Sequence, residues 1–593
     1  MLTRWGRELD RDHPLPEYPR PQLARPAWVN LNGVWEHAFT DTPERPGTWD
    51  GEIVVPFSPE APLSGVGRQL RPTEWLWYRR RIDPPATPPG GRLLMHLGAV
   101  DQSCTVFLDG VEVGAHTGGY LPFTVDVSAA HPGSLLELRV RDLSETGVHA
   151  RGKQRLQRGG IWYTAQSGIW QTVWLEPVPA EHVEGLRIVP HLEAGVLEVT
   201  VESATDAPVQ VVVSSGGTTT GRASGVANRA LRLALADVHP WSPEDPFLYD
   251  LDVVLGSGEH ADRVSSYAAL RSFGTGRDDR GHLRLLLNGR PYQHVGVLDQ
   301  GYWPDGLMTP PSDAAMVHDI ETMKACGFNT LRKHVKVEPL RWYAHCDQIG
   351  MLVWQDMVNG GSRYRSVVMH RGPRRSRLQK PWLPDRWYAP FGRDDAAGRQ
   401  EFREELRATI RLLRNVVSIA VWVPFNEGWG QFDANAIARE VARLDPTRQV
   451  NHASGWIDQG GGDMRALHCY GIPFRMPLLR RGRVRRRLVA LDEYGGYTLR
   501  VPGHLWRPRR SFGYKAYPTP EALLAGFEEL HRDQIAPAVR QGLAATVYTQ
   551  LSDVEVEING LLTWDREVLK MPAERVRAAL AGLRDGLSEA RTG

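Results

Sequence analysis

Apolar and polar positions change rhythm twice along the chain. From residue 28 to 176, short apolar runs such as "RLLMHLGAV", "CTVFLDG", "LELRV" and "QTVWLEPV" are punctuated by Asp109-Gly110 and Gly118-Gly119. Many short strands at turn-marked intervals predict a sandwich or jelly roll. From about 180 to 272, "VLEVTVESA", "VQVVVSSGG" and "LYDLDVVLG" alternate apolar and polar residues, so one face of each strand is buried. A segment of roughly 90 residues built this way fits an immunoglobulin-like sandwich. Near residue 277 strands begin to alternate with helical stretches, which implies parallel βα units. The candidate strands are Tyr292–Leu298, Asn329–His334, Met351–Asp356, Ile419–Phe425, Val450–Ser454, Ala466–Tyr470, Leu488–Leu491 and Ala544–Thr549. Amphipathic stretches at 313–326, 399–415, 432–444, 519–540 and 573–588 lie between or after them. Eight such units in roughly 300 residues are the size of a (β/α)8 barrel. The expected organisation is multidomain: a jelly roll over 1–178, an immunoglobulin-like β-sandwich over 179–276 and a (β/α)8 TIM barrel over 277–593.

Composition narrows the partners. The 593 residues are too many for one core. Lys+Arg and Asp+Glu nearly balance, 71 against 69, which excludes the basic excess of a nucleic-acid binder. Cys104, Cys326, Cys346 and Cys469 have no CxxC spacing, so free thiols are expected rather than a disulfide framework. The N-terminal stretch has no apolar h-region. No run of ~18 apolar residues occurs, so no membrane span and a cytoplasmic location are expected. A homo-oligomer remains open. The 20 tryptophans suit sugar faces as well as large cores, and core filling is the default for most.

Two segments break the alternation. Residues 358–394 are rich in Arg, Pro and Trp, and "FRMPLLRRGRVRRR" (474–487) is strongly basic. Solvated loops are the simplest account. Both nevertheless lie near the barrel's top face, where they could meet an anionic substrate.

Barrel active sites form at strand C-termini. Those ends carry Arg332, Lys333 and His334; Asp356; Asn426 and Glu427; His468 and Tyr470; Asp492, Glu493 and Tyr494; and Gln550, Asp553, Glu555 and Glu557. A lone carboxylate after a strand is more often a helix cap than a catalyst. Two of them, Glu427 and Glu493, end strands 4 and 7 beside aromatic residues. No zinc-spaced Cys/His set and no phosphate-cradling Gly loop accompanies them, so neither a metal nor a cofactor is expected. Paired carboxylates suit acetal cleavage: one protonates the leaving oxygen, the other stays ionised. Trp422 and Trp429 are candidates for an apolar wall near Glu427, although Trp422, between Val421 and Val423, also suits an outward position.

"FNEGWG" and "LDEYGG" on strands 4 and 7 resemble glycoside hydrolase family 2, which includes β-galactosidases, β-glucuronidases and β-mannosidases. "RPAWVNLNGVWEHAF", "GAVDQSCTVFLDGVEVGAHTGGYLPFTVDV" and "GIWQTVWLEPV" resemble the family's sugar-binding jelly roll. "GFNTLRKHVKVEPLRWYAHCDQIGMLVWQDM" and "TQLSDVEVEINGLLTWDRE" resemble its barrel. The resemblance implies a retaining glycosidase with Glu427 as acid/base and Glu493 as nucleophile. It implies Asn426 on the sugar 2-hydroxyl, and Arg332 and His334 lining the sugar subsite. It places Asp356 on sugar hydroxyls and His468 and Tyr470 beside the nucleophile. Trp429 and Trp564 are candidate sugar contacts. The chain lacks the Asn-x-Lys pair that reads the uronate in β-glucuronidases, and no residues can be assigned to a β-galactosidase magnesium site. Phe425 stands where mannosidases have a tryptophan before Asn-Glu.

The expected function is therefore an exo-acting, retaining β-glycosidase on a carbohydrate substrate, β-galactosidase-like in preference. The alternatives are a uronidase using arginines of the two inserts, and a catalytically silent carbohydrate-binding protein.

Overall fold

The computed structural model describes residues 1–369, 383–477 and 487–585. Residues 370–382 and 478–486, which hold much of the two arginine-rich inserts, lie outside the described residues.

Between Val29 and Val178 two antiparallel sheets stack. One contains Arg92–Leu97 and Val173–Val178; the other contains Gly33–Thr40, Trp75–Ile82, Ser103–Leu108 and Ser134–Arg141. Their inner faces share one core, in which Met95 and Leu97 meet Trp35, Leu76 and Val106. A second sandwich follows. In Pro208–Ser215 the alternation works as read: Val209, Val211 and Val213 are buried against Leu251, Val253, Val199 and Val201. Each such side chain contributes about 1.5–3 kcal/mol relative to exposure.

Eight parallel strands form the barrel, labelled here in chain order: β1 (His294–Asp299), β2 (Thr330–Lys333), β3 (Leu352–Asp356), β4 (Ile419–Val423), β5 (Gln449–Val450), β6 (Met464–Tyr470), β7 (Leu488–Gly495) and β8 (Leu543–Thr549). Their order in the sheet is β5-β4-β3-β2-β1-β8-β7-β6. The seam between β5 and β6 is closed by Asp463: its carboxylate accepts from the Val450 N–H at 2.7 Å, and its own N–H donates to Val450 O at 2.9 Å. β3 and β4 are buried at every position, as expected where helices cover the outside and side chains fill the inside. An antiparallel meander over 273–291 precedes β1 and inserts Leu285 among Leu352, Val421, Leu488 and Ala545.

Two strand ends differ from the sequence pattern by four residues, the others by two or fewer. Strand 5 is only two residues long, because the chain beyond Val450 satisfies its main chain through single bonds to β4 and its loop, from Asn451 N to Trp422 O and from Ser454 N to Phe425 O. β7 continues past Leu491 to Gly495, carrying Asp492 and Glu493 within the strand.

The first sandwich also sends a segment over the barrel mouth. Ala150 bridges to Gly360, and the N–H groups of Arg151 and Gly152 both donate to Asn359 O, at 2.9 and 3.0 Å. Residues 154–155 and 163–164 pair in parallel. Carboxylates from beyond β8 hold this segment down. Glu557 accepts from Tyr163 Oη at 2.5 Å, and Glu555 accepts from the Thr164 N–H at 2.9 Å.

Candidate active site

The main chain changes direction where β4 ends. Asn426 bridges to Ser454, and the Glu427 N–H donates to Ser454 O at 2.8 Å. Glu427 has φ +50°, a left-handed conformation that costs a non-glycine residue about 1–3 kcal/mol. The Trp429 N–H donates to Asn426 O at 2.9 Å and closes the turn. Gly430 follows at φ +63°, and a Cβ there would lie 2.2 Å from Gly360 O. The Gly-Trp-Gly sequence is what this tight return requires.

β7 reaches the site through a bulge. Its register with β6 shifts so that Leu467 opposes Leu491 but His468 opposes Glu493. Successive strand residues normally face opposite sides. The extra residue lets both Asp492 and Glu493 turn inward. Both approach Arg332 Nη1, at 3.6 and 3.3 Å.

Arg332 is fully buried and uses every N–H. Nε and Nη2 grip Asp356 at 3.0 Å each; Nη2 also donates to Asn426 Oδ1 at 2.8 Å. Nη1 donates to Asp492 O at 3.0 Å and Glu493 Oε1 at 3.3 Å. No donor is left for a sugar, so Arg332 positions Glu493 and Asn426 rather than lining a subsite. Asp356 departs from its expected role for the same reason. Its Oδ2 also accepts from His334 Nδ1 at 2.7 Å, so both oxygens are spent on protein partners. Burial pushes the Asp356 carboxyl up to about 6, against the pull of Arg332.

His334 then carries its proton on Nδ1, and among the described residues its buried Nε2 has no protein partner. Burial, with Lys153 and Arg332 nearby, holds its pKa well below the usual histidine range. Among the described residues Asn426 Nδ2 is likewise buried without a partner. An acceptor and a donor thus stand free among the strand ends, the arrangement that sugar hydroxyls satisfy.

Tyr470 Oη donates to Glu493 Oε2 at 2.7 Å and lies 2.7 Å from Thr549 Oγ1; its ring stacks on Tyr514. His468 lies between the two glutamates. Nδ1 is 2.8 Å from Glu427 Oε1 and 3.3 Å from Glu493 Oε2, and Nε2 is 2.7 Å from Ser454 Oγ. Burial opposes its charged form, but Glu493, Asp492 and Glu427 outweigh burial and push the imidazole up to about 10. A carboxylate oxygen of Glu427, one of Glu493 and a ring nitrogen of His468 all lie within 4.8 Å of one another. That spacing would admit a cation, but the charged ring already supplies one.

The tryptophans separate into two groups. Trp429 is buried against Trp162 from the first sandwich, with ring centroids 5.2 Å apart, and among the described residues its Nε1 has no protein partner. Trp422 does not wall Glu427. It faces the helical layer and donates to Asp445 Oδ2 at 3.0 Å, as the β4 alternation dictates. Trp564 is buried with the Arg566 guanidinium 5.6 Å from its ring centre, so it is loop packing and no open sugar platform.

Sequence reasoning missed the residues that come from outside the barrel. Lys153 is buried, and its ammonium stands 5.5 Å from the Tyr163 ring centre and 5.6 Å from that of Trp429. Among the described residues no carboxylate pairs with it. Lys153, Trp162 and Tyr163 sit in a segment without strand periodicity, so no pattern tied them to barrel ends more than 130 positions away.

Comparison with known proteins agrees with this architecture. Residues 307–474 match the model of the family 2 glycosyl hydrolase TIM barrel domain, and residues 181–271 match a second family 2 glycosyl hydrolase model. A putative β-glucuronidase of Formosa agariphila is 24% identical over 342 residues, covering 55% of this chain and 39% of its own length. A β-galactosidase of Enterobacter cloacae is 23% identical over 525 residues, covering 78% of this chain and 47% of its own. The chain thus spans less than half the length of these curated relatives. In fold it resembles the β-D-glucuronidase of Dictyoglomus thermophilum, with TM-score 0.73, 17% identity and coverage of 95% and 98% of the two chains. It also resembles a β-galacturonidase of Eisenbergiella tayi, with TM-score 0.69, 18% identity and coverage of 96% and 99%. The matched models lead to one assignment: residues 181–271 and 307–474 are glycosyl hydrolase family 2 domains.

Proposed function

We propose that this protein is a retaining exo-β-glycosidase, with Glu427 as acid/base and Glu493 as nucleophile. The observation that carries this is the approach of the two carboxylates, which have oxygens within 4.8 Å. Retaining pairs stand about 5–5.5 Å apart, whereas inverting pairs need about 6.5–9.5 Å to admit a water. Glu427 gives its proton to the leaving oxygen as Glu493 attacks the anomeric carbon. Glu427 then takes a proton from the water that releases the sugar. Asn426 Nδ2 and His334 Nε2 are placed to hold sugar hydroxyls. The segment over 150–166 closes one side of the mouth, which favours attack at a chain end. A terminal β-galactoside or related pyranoside is the first candidate substrate.

Lys153 favours a second candidate, a β-uronide. The Lys153 ammonium feels Glu557 only at a distance and among the described residues makes no contact ion pair, so, beside Trp429, it suits a substrate carboxylate. Two of the described insert arginines are engaged elsewhere: Arg393 is buried and donates to Gly430 O and Gly398 O, and Arg487 pairs with Asp458.

Turnover of nitrophenyl β-glycosides, uronides included, tests both. Glu493→Ala and Glu427→Ala should each nearly abolish turnover, with azide rescuing the Glu493 variant as an inverted glycosyl azide. Wild-type rates in either variant, or an inverted first-formed sugar by proton NMR, would sink the mechanism. Lys153→Met should cost about 10–100-fold in kcat/KM on a uronide and little on a galactoside; equal loss on both would remove the uronide candidate. If no glycoside is turned over yet sugars bind, the protein is a binding module.

A further inference from the structure

His468 lies within 3.3 Å of both glutamates, and the retaining reaction alone does not call for it. Its side chain is fully buried. Charged, titratable and polar groups face the ring from several elements. Beyond β4 is Glu427, 2.8 Å from Nδ1. On β7 are Glu493, 3.3 Å from Nδ1, and Asp492, 3.4 Å from Nε2. Beyond β5 is Ser454, 2.7 Å from Nε2, and the Trp456 ring stands edge-on at 5.8 Å. From β2, Arg332 meets the same Asp492 and Glu493 from the far side, and His334 stands near enough to feel the His468 charge. On β6 itself, Tyr470 binds the Glu493 oxygen that His468 approaches.

From this geometry we propose that His468 is a positioning residue whose Nδ1–H serves whichever of Glu427 and Glu493 carries the negative charge at each stage of the reaction. The proposal rests on the retaining mechanism above. In the first step Glu493 is the anion. One of its oxygens bonds to the anomeric carbon, the glycosidic C–O bond breaks with its electron pair on the leaving oxygen, and the Glu427 proton goes to that oxygen. Glu493 is now a neutral ester and Glu427 the anion. In the second step water gives a proton to Glu427, its oxygen bonds to the anomeric carbon, and the ester electron pair returns to Glu493. One negative charge has crossed from one carboxylate to the other and back. Nδ1 stands within 3.3 Å of both positions, so the same N–H can follow the charge without the ring leaving its place. Ser454 and Asp492 fix the opposite nitrogen and thereby the ring. With Asp492 and one of the two glutamates ionised at each stage, the ring keeps its charge at neutral pH and a hydrogen on each nitrogen. No proton leaves His468 in either step.

A cation beside a carboxylate favours its ionised form, so removing it moves titration to higher pH. For His468→Gln we expect both limbs of the kcat/KM–pH profile to move up by about one unit or more. We expect kcat/KM at the optimum to fall about 10–100-fold, as for loss of a charged hydrogen bond. A similar loss with both limbs unmoved, or limbs moving in opposite directions, would overturn the proposal. A second measurement needs no turnover. In protein labelled with 15N at histidine, the ring assigned by its absence in the Gln variant should show both nitrogens protonated at pH 7. It should lose a proton at lower pH in Glu493→Gln. A neutral wild-type ring at pH 7 would overturn the proposal whether or not the enzyme turns over. Inverted product with a charged ring would instead overturn the retaining mechanism.

Discussion

Replacing Arg332 by methionine removes the one guanidinium that holds Asp356, Asp492, Glu493 and Asn426 together. At the 3.3 Å separation from Glu493, one charge pair is worth about 5 kcal/mol at an effective dielectric of about 20, before desolvation is counted. Measured losses for breaking a buried pair run about 3–5 kcal/mol, because the partner charges stay behind unpaired. At roughly 2 °C per kcal/mol for a unit of barrel size, the barrel transition should fall by roughly 6–10 °C. The sign of the pH dependence follows from the acids left behind. Without the cation the folded-state pKa of Asp356, already above its unfolded value, rises further and that of Asp492 rises too, so the folded protein binds more protons and the penalty grows with pH. The deficit should therefore be larger at pH 8 than at pH 5. Turnover should fall by about 10²–10³, since Glu493 and Asn426 both lose their orientation. Calorimetry at the two pH values, with aryl β-glycoside kinetics, measures all three quantities. Arg332→Lys keeps the charge but not the fork, so it should recover part of the melting temperature and little of the rate. A methionine variant melting like the wild type at pH 8, or losing more at pH 5, would refute the reasoning.

Two further outcomes are expected. Gly430→Ala should destabilise the protein by about 2–4 kcal/mol and lower turnover, because φ is +63° and the new methyl would meet Gly360 O at 2.2 Å; an unchanged melting curve would count against the tight return. Burial pushes Asp319, Asp347 and Asp553 up to about 6, so the folded state gains stability as pH falls through 6. Asp313 and Asp458 are held low, by Arg341 and His345 and by His452 and Arg487 respectively, all against burial, and that stability is lost below about pH 4. The melting temperature should peak between about pH 4 and 6, and a fluorimetric scan still rising from pH 6 to 8 would contradict this.

Much of the barrel could be read because its strands are apolar runs whose ends carry polar residues. "VWVPFNEGWG" and "LVALDEYGG" exposed the carboxylate pair in that way. The bulge could not be read: a one-residue register shift leaves no trace in hydrophobicity, yet it decides that both Asp492 and Glu493 face inward. Asp356 and Arg332 were visible as polar strand ends, but residue type does not reveal whether their hydrogen bonds are spent on protein or left for a ligand. That depends on the count of partners, which only three-dimensional placement supplies. Trp422 could be placed from alternation alone, whereas Trp564 follows an irregular loop where no period applies. Lys153 lay beyond reach because contact across separate folding units obeys no local rule.

The segment over 150–166 divides labour within the molecule. In the proposed mechanism the barrel provides the reacting carboxylates and their counter-charges, whereas Lys153, Trp162 and Tyr163 enter from a different folding unit, anchored by Glu555 and Glu557. Bond-breaking chemistry and the outer face of the proposed sugar site would then be encoded in stretches of sequence that can vary independently. Grafting another relative's 150–166 segment onto this barrel, with its two carboxylate anchors kept, is the direct route to altered sugar preference with the cleavage machinery intact.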